Sequence, residues 1–245
     1  MGRVLTSEIL DVLPPDDPRA LRSRRDLMLI NTVMCQSTIM AEALSVFPAP
    51  KLIADLGGGD ARFLLRVARR LARRWPGVTV MIADRRAVVS VETRACFARL
   101  GWRCDNLTGD VLETLPLIKP DIVTANLFLH HLDDAALGKL LALVARQAKG
   151  LVACEPRRSA FALLGARMVF ALGANDVTRH DAVASVRAGF RGRELSHLWP
   201  QDANWRLGEH GVFPFTHLFH AMASSGGAIG PKSKASSSEG QTRAL

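Results

Sequence analysis

Five short apolar runs alternate with helical stretches, a glycine turn follows the first run, and an acid or amide closes each run. Together these predict an α/β fold on a doubly wound, mostly parallel sheet. In such a sheet ligands bind outside the carboxyl ends of the strands. The residues falling at those ends are Asp55, Asp84, Asp110, Asn126 and Glu155.

The chain opens with residues 1–17, closing on Pro14-Pro15-Asp16-Asp17, a pattern that breaks one helix and caps another. From Pro18 to Phe47, Leu21, Leu27, Ile30, Val33 and Met34 recur every third or fourth residue, which predicts two helices before the first strand. Lys51 to Leu56 is that strand, and Gly57-Gly58-Gly59 turns it into a helix with Leu64, Val67, Ala68 and Leu71 on one face. The turn lets backbone N–H groups and the positive end of the helix dipole approach a ligand. It is not a phosphate-cradling loop, because no Gly-Lys-Ser/Thr closes it. A dinucleotide fingerprint begun at Gly57 would place its third glycine at Arg62, obstructing close helix–strand packing.

What remains is a carboxylate two positions before a Gly-x-Gly turn: Asp55, Gly57 and Gly59. An acid there suits a ligand bearing an ammonium group better than a pyrophosphate. The segment resembles motif I of the class I S-adenosylmethionine (SAM)-dependent methyltransferases.

Val78 to Asp84 reads as a buried second strand, after a helix stopped by Trp75-Pro76-Gly77. Asp84 lies near the offset at which an acid accepts hydrogen bonds from ribose hydroxyls, and alternatively caps the next helix. That helix is expected over Arg86–Leu100, followed by a short strand from Arg103 to Thr108 and Gly109-Asp110-Val111. Gly-Asp equally opens a turn. Asp121 to Asn126 forms the fourth strand, with Leu127 to Leu132 as its exit loop; Asp133 and Asp134 start a helix carrying Leu137, Leu140, Leu141 and Val144 inward. Leu151 to Pro156 is the fifth strand, with Glu155 near its end.

The stretch Asn126-Leu127-Phe128-Leu129-His130-His131-Leu132-Asp133-Asp134 resembles the same loop in ubiquinone/menaquinone C-methyltransferase-like small-molecule enzymes. The resemblance covers residues 50–156 and implies a Rossmann-like, seven-stranded sheet with an antiparallel last strand. Arg157 to Trp199 then reads as a helical insertion after the fifth strand, and Trp205–His210 with Phe215–Met222 as the closing antiparallel pair. Residues 1–49 would form an N-terminal helical cap, 50–223 the methyltransferase domain with a lid over 157–200, and 224–245 a disordered tail.

The resemblance further implies SAM as cofactor. Asp55, Gly57, Gly58 and Gly59 would hold its methionine part, Asp84 and Arg85 the ribose side, and Asp110 and Val111 the adenine. Asn126 and Leu127 would supply contacts near the sulfonium. A general base would come from His131, His130 or His180, whose unperturbed pKa lies close to neutrality. Arg157, Arg179 and Arg187 could grip an acidic acceptor or be surface charges. His217 and His220, three apart in a strand, face opposite sides and make no simple chelate; no metal is expected.

Composition bounds the rest. The formal charge of +9 comes mostly from arginine, and Arg66, Arg69, Arg70, Arg73 and Arg74 crowd one helix without interleaved aromatics. That pattern fits a solvated face better than a nucleic-acid patch. Cys35, Cys96, Cys104 and Cys154 show no paired spacing, which fits a reducing cytoplasm. The longest apolar stretch, Ala160 to Ala174, contains Arg167 and is too short to span a bilayer. The expected activity is methyl transfer to a small-molecule oxygen or carbon, on a phenolic, quinone-like or polyketide-like acceptor. The rivals are a non-catalytic SAM-binding scaffold and an RNA-directed methyltransferase; the sequence says nothing of oligomeric state.

Overall fold

The computed structural model describes residues 2–14, 16–86, 89–168, 173–201 and 204–224. Seven strands form one sheet: β1 (Leu52–Leu56), β2 (Thr79–Asp84), β3 (Arg103–Thr108), β4 (Ile122–Asn126), β5 (Gly150–Pro156), β6 (Trp205–Val212) and β7 (Thr216–Ala223). Their order across the sheet is β3-β2-β1-β4-β5-β7-β6. The first five pair in parallel, and β7 runs antiparallel between β5 and β6. The order reverses between β1 and β4, and a doubly wound sheet opens its ligand crevice at such a switch point.

Three helices precede β1, one more than the periodicity predicts: α1 (Ile9–Val12), α2 (Pro18–Val33) and α3 (Gln36–Leu44). The first is a single turn ahead of the Pro-Pro punctuation. Cys35, in the left-handed region at φ 53°, breaks α2 from α3. Leu21, expected inward, is 47% exposed, while Met34 is buried. Helix α4 (Arg62–Leu71) follows the glycine turn. Helix α5 runs only over Val91–Arg99, because Ser90 caps it by accepting from Thr93 N. Next come α6 (Val111–Thr114), α7 (Asp134–Gln147), α8 (Ala160–Met168), α9 (Asp176–Ala188) and α10 (Glu194–Leu198), with short 3-10 turns at Leu115–Leu117 and Leu129–His131. The expected insertion therefore contains α8, α9 and α10.

Side chains alternate across the sheet, so β1 sends Ile53 into a core with α3, α4 and α5, and Ala54 and Leu56 into a second core with α7 and α10. Asp55 shares the first face. Trp75, Trp102 and Trp199 are fully buried, and Trp102 Nε1 donates to the Trp75 carbonyl at 2.7 Å. Every residue of β5 is buried.

In the antiparallel pair β6 runs two residues past its expected end, to Val212, while β7 starts one residue later than expected, at Thr216, and ends one later, at Ala223. Ser224 N still donates to Asn204 O at 2.7 Å; the rest of the expected tail, 225–245, lies outside the described residues. Among the described residues, no helix is long and apolar enough to cross a membrane.

Candidate active site

The glycine turn folds back over β2 rather than standing open. Gly57 N donates to Ala83 O at 2.8 Å, and Gly59 N to Asp84 Oδ2 at 3.0 Å. Gly57 has φ +66°, and a Cβ there would lie 2.3 Å from the Phe128 ring carbon Cδ2. A Cβ at Gly58 would lie 2.5 Å from Asp55 Oδ2. Glycine thus lets the backbone approach the Phe128 ring at one position and the site's own Asp55 at the other.

Asp55 is 2% exposed, and its Oδ1 accepts from Thr124 Oγ1 at 2.7 Å. Burial lifts its pKa to about 7; the Thr124 hydroxyl offsets part of this and the nearby charge of Asp84 adds to it. Thr124 is the residue level with Asp55 on the neighbouring strand β4. Sequence reading missed it because the two are 69 positions apart. A hydroxyl two residues before Asn126 on a strand flanking β1 was the available signal.

Asp55, Leu56, Gly57, Gly58, Phe63, Asn126 and Leu127 line a cavity of about 200 Å³ between the ends of β1 and β4. Asn126 Oδ1 is buried there with no hydrogen-bond partner among the described residues. An orphaned buried acceptor costs roughly 1–3 kcal/mol, so a ligand donor reaching it gains accordingly. Leu127, at φ 52°, turns its N–H back to Cys154 O at 2.9 Å.

Asp84 adjoins the cavity through Gly59, and its other oxygen accepts from Arg86 N at 2.7 Å. Further along the rim, Asp110 caps α6 by accepting from Leu112 N at 2.9 Å and pairs with Arg85 Nη2. These contacts, the arginine first, hold its carboxyl below the usual carboxylate range. Val111 is buried beside it. The structure thus brings Asp55, Gly57, Gly58, Asn126 and Leu127 onto one cavity, with Gly59 and Asp84 bonded alongside. Arg85, Asp110 and Val111 stand farther along the rim and do not line that cavity.

The histidines separate. His130 is buried in the 3-10 turn after β4, its Nδ1 2.7 Å from Glu155 Oε2. Glu155 Oε1 also accepts from Phe128 N at 3.1 Å and Leu129 N at 2.8 Å. Burial disfavours the His130 cation, yet Glu155 and Glu8 outweigh it and raise the pKa to about 9. His131 is exposed, its ring 4.2 Å from that of His130. His180 lies elsewhere. With Arg167, Arg179 and Arg187 it lines a groove of about 490 Å³ between α8 and α9 that shares no lining residue with the first cavity. Its Nδ1 is 3.0 Å from Asp181 Oδ1. Arg179 and Arg187 meet in that groove, while Arg157 packs at Gly211 on β6. His217 is buried against Glu209 at 2.8 Å, across β6 and β7.

Sequence reading expected an N-terminal cap but not the contacts that anchor its first residues beside this region. Arg3 donates to Leu132 O at 2.6 Å and His130 O at 3.2 Å, pairs with Asp134 at 2.7 Å, and lies 4.7 Å over the Phe190 ring. Asp181 accepts from Ile9 N and Leu10 N, which fixes the start of α1. Partners more than 120 residues apart leave no local trace in a sequence.

This β1 turn and strand order define a Rossmann-like, doubly wound α/β fold. The family model of the O-methyltransferase domain matches residues 14–153, and the chain belongs to that family. Among solved structures, an O-methyltransferase family protein from Burkholderia thailandensis is 22% identical, with 86% of this chain and 62% of that one covered and a TM-score of 0.56. Human N-acetylserotonin methyltransferase, solved with SAM, is 18% identical over 87% of this chain and 61% of its own, at a TM-score of 0.53. The plantazolicin methyltransferase BpumL, solved with a monoazolic desmethylPZN analogue and SAH, is 12% identical over 85% of this chain and 91% of its own, at a TM-score of 0.61. These likenesses are of fold. The chain spans about three fifths of the length of the first two proteins. No curated protein matches it by sequence.

Proposed function

We propose that the protein is a SAM-dependent methyltransferase acting on an oxygen of a small-molecule acceptor. The observation that carries this reading is the cavity at the β1–β4 switch point, where a buried carboxylate, two glycines that a Cβ would obstruct and an orphaned amide oxygen converge. These features fit SAM. Asp55 offers a carboxylate to its ammonium, Asp84 keeps acceptor capacity for the ribose hydroxyls, and Asn126 Oδ1 awaits a donor. Asp110 and Val111 are assigned to the adenine, with Arg85 holding Asp110 in place.

SAM supplies a methyl group on a sulfonium, open to in-line attack. The chain's own task is to hold the acceptor in line and to take its proton. Glu155 fixes His130 through Nδ1, and with its pKa raised to about 9 the ring takes the acceptor's proton only in its neutral fraction, so transfer by this base should rise with pH toward 9. His131 is the solvent-facing alternative, and His180 is assigned to the acceptor side of the lid rather than to the reaction centre. On α8, Phe161, Leu164 and Met168 are all exposed, and Phe161 stacks on Phe213 and Phe215. Residues 157–200 are read as the lid, and this apolar face supports a phenolic, quinone-like or polyketide-like acceptor. The loop sequence from Asn126 to Asp134 favours a carbon acceptor as the second reading.

Calorimetric titration with SAM, its demethylated product and NAD, followed by transfer of labelled methyl to a panel of phenols, tests the proposal. Binding of the two sulfur nucleosides, exclusion of NAD and label on a phenolic oxygen are expected. Binding without turnover on any acceptor would make the chain a scaffold, and steeply salt-dependent RNA binding would favour a nucleic-acid substrate.

A further inference from the structure

We propose that the protein docks on an anionic lipid bilayer through Phe161, Leu164 and Met168 of α8 and Phe213 of the β6–β7 turn. These four side chains are 52%, 55%, 60% and 77% exposed. On α8 the spacing i, i+3, i+7 puts three of them on one face of the helix. Phe161 joins that face to the turn, since its ring stacks on Phe213 at 5.7 Å and on Phe215 at 5.6 Å between centroids. Phe215 in turn packs on Gly165, where a Cβ would lie 2.7 Å from its ring. The result is one contiguous apolar patch on a helix and a hairpin tip. Apolar residues exposed singly need no explanation, but a contiguous patch marks a surface that meets a partner.

Charge identifies the partner. From Arg157 to Asn175 and from His210 to Ala223, the two segments that build the patch, the sequence has no Asp or Glu. Arginines border it instead. Arg157 follows β5 and lies beside Gly211, two residues before Phe213. Arg167 precedes Met168 and lines the groove that also holds Arg179 and Arg187. Arg158 pairs with Glu194 and Arg179 with Asp176, whereas among the described residues neither Arg157 nor Arg167 meets a carboxylate. A second copy of the chain on this patch would set these cations against their own likes, with no acid on either side to offset them. An anionic headgroup layer complements them, and the hydrocarbon beneath it takes the apolar side chains. The formal charge of +9 acts in the same sense at longer range.

The patch lies at the end of the sheet where the cavity opens. Antiparallel pairing sets Thr216 of β7 opposite Pro156 at the carboxyl end of β5, and parallel pairing sets Cys154 of β5 level with Asn126. The turn carrying Phe213 and the start of α8 therefore share an end with Asp55 and Asn126. Docking turns that end toward the bilayer, where an apolar acceptor dissolved in the membrane would meet α8 without crossing water. This narrowing of the acceptor rests on the methyl-transfer reading; docking itself does not, and vesicle binding is measured without SAM.

The experiment sediments the full chain with vesicles of phosphatidylcholine alone and of phosphatidylcholine with about a third phosphatidylglycerol, which supplies the anionic surface. Half-binding is expected at or below about 0.1 mM anionic lipid, the range of a single acyl anchor, with about tenfold weaker binding to neutral vesicles. High salt should remove the difference between the two. Phe213→Ser combined with Leu164→Ser should weaken binding about tenfold or more, through lost apolar contact. Arg167→Gln should weaken it about fivefold, the share of one basic side chain. Melting temperatures check that both variants fold; if the double variant does not, Arg167→Gln and the two vesicle types still decide. No binding at about 1 mM lipid, equal binding to both vesicle types, or equal binding by wild type and double variant would overturn the proposal. So would a concentration-dependent dimer that the double variant abolishes while vesicles stay unbound, since the patch would then serve a second copy. Docking with methyl transfer only to water-soluble phenols would overturn the membrane-dissolved acceptor alone.

Discussion

The Asp55 carboxyl offers the sharpest test, because its environment sets both stability and ligand affinity. Its pKa is raised from 3.8 to about 7 in the folded chain. Between those values the folded protein holds a proton that the unfolded chain has released, so stability falls as pH rises. The contribution is present in full below pH 3.8 and is lost as pH passes through about 7. At 1.36 kcal/mol per pKa unit, the whole excursion amounts to about 4 kcal/mol. Asp55→Asn preserves the shape and the Thr124 hydrogen bond but cannot ionise. Urea denaturation should therefore find the variant more stable than the wild type at pH 8, by a gap about 3 kcal/mol wider than at pH 5. Ligand binding should move in the opposite sense. If the ammonium of SAM requires the ionised carboxylate, wild-type affinity should rise roughly 100-fold from pH 5 to pH 8, and the variant should bind weakly throughout. A stability gap that does not change with pH would refute the argument that burial governs this group. Wild-type affinity in the variant would remove Asp55 from the site.

Three further outcomes follow from the same geometry. Asp84→Ala should weaken SAM binding by on the order of 2 kcal/mol in a calorimetric titration. It should also lower thermal stability, since the carboxylate ties Gly59 N and Arg86 N. Gly57→Ala forces φ +66° on alanine and drives a methyl into the Phe128 ring, so a loss of about 1–3 kcal/mol in urea titration and weaker SAM binding are expected. Glu155→Gln leaves His130 with Glu8 alone, at 3.4 Å, as counter-charge, and a destabilisation of about 3 kcal/mol should appear in chemical denaturation; a neutral result would mean that Glu155 does not hold the β4 exit.

Much of the sheet was legible because its signals are local. An apolar run closing on Asp55, Asp84 or Asn126 carries its own strand and its own end, and the glycines after Asp55 mark the turn. What escaped depends on contacts across long sequence separations. The Thr124 hydroxyl reaches Asp55 only through the β1–β4 register, and Arg3 finds its carbonyls only once the 3-10 turn after β4 has formed. His130 and His131 stood out as a pair by chemistry, yet nothing local says that one is buried against Glu155 and the other exposed. The break at Cys35 escaped for a different reason: the helical period runs through it, and the left-handed residue there has no glycine to announce it.

The two buried carboxylates at the carboxyl ends of β1 and β5 show why the site lies where it does. Glu155 is consumed internally, taking three backbone N–H groups and an imidazole, and its product is an ordered loop after β4. Asp55 receives one hydroxyl and little else, an arrangement that costs folding free energy for as long as no cation arrives. A chain selected for stability alone would replace such a residue with asparagine or an aliphatic side chain. Its position beside a glycine turn that leaves room for a ligand, and within reach of the orphaned Asn126 oxygen, gives that cost a use. The carboxylate with the fewest internal donors is the one with capacity left for a positively charged ligand. By the same reasoning Glu155, although equally buried and at an equivalent strand end, contributes order and no binding.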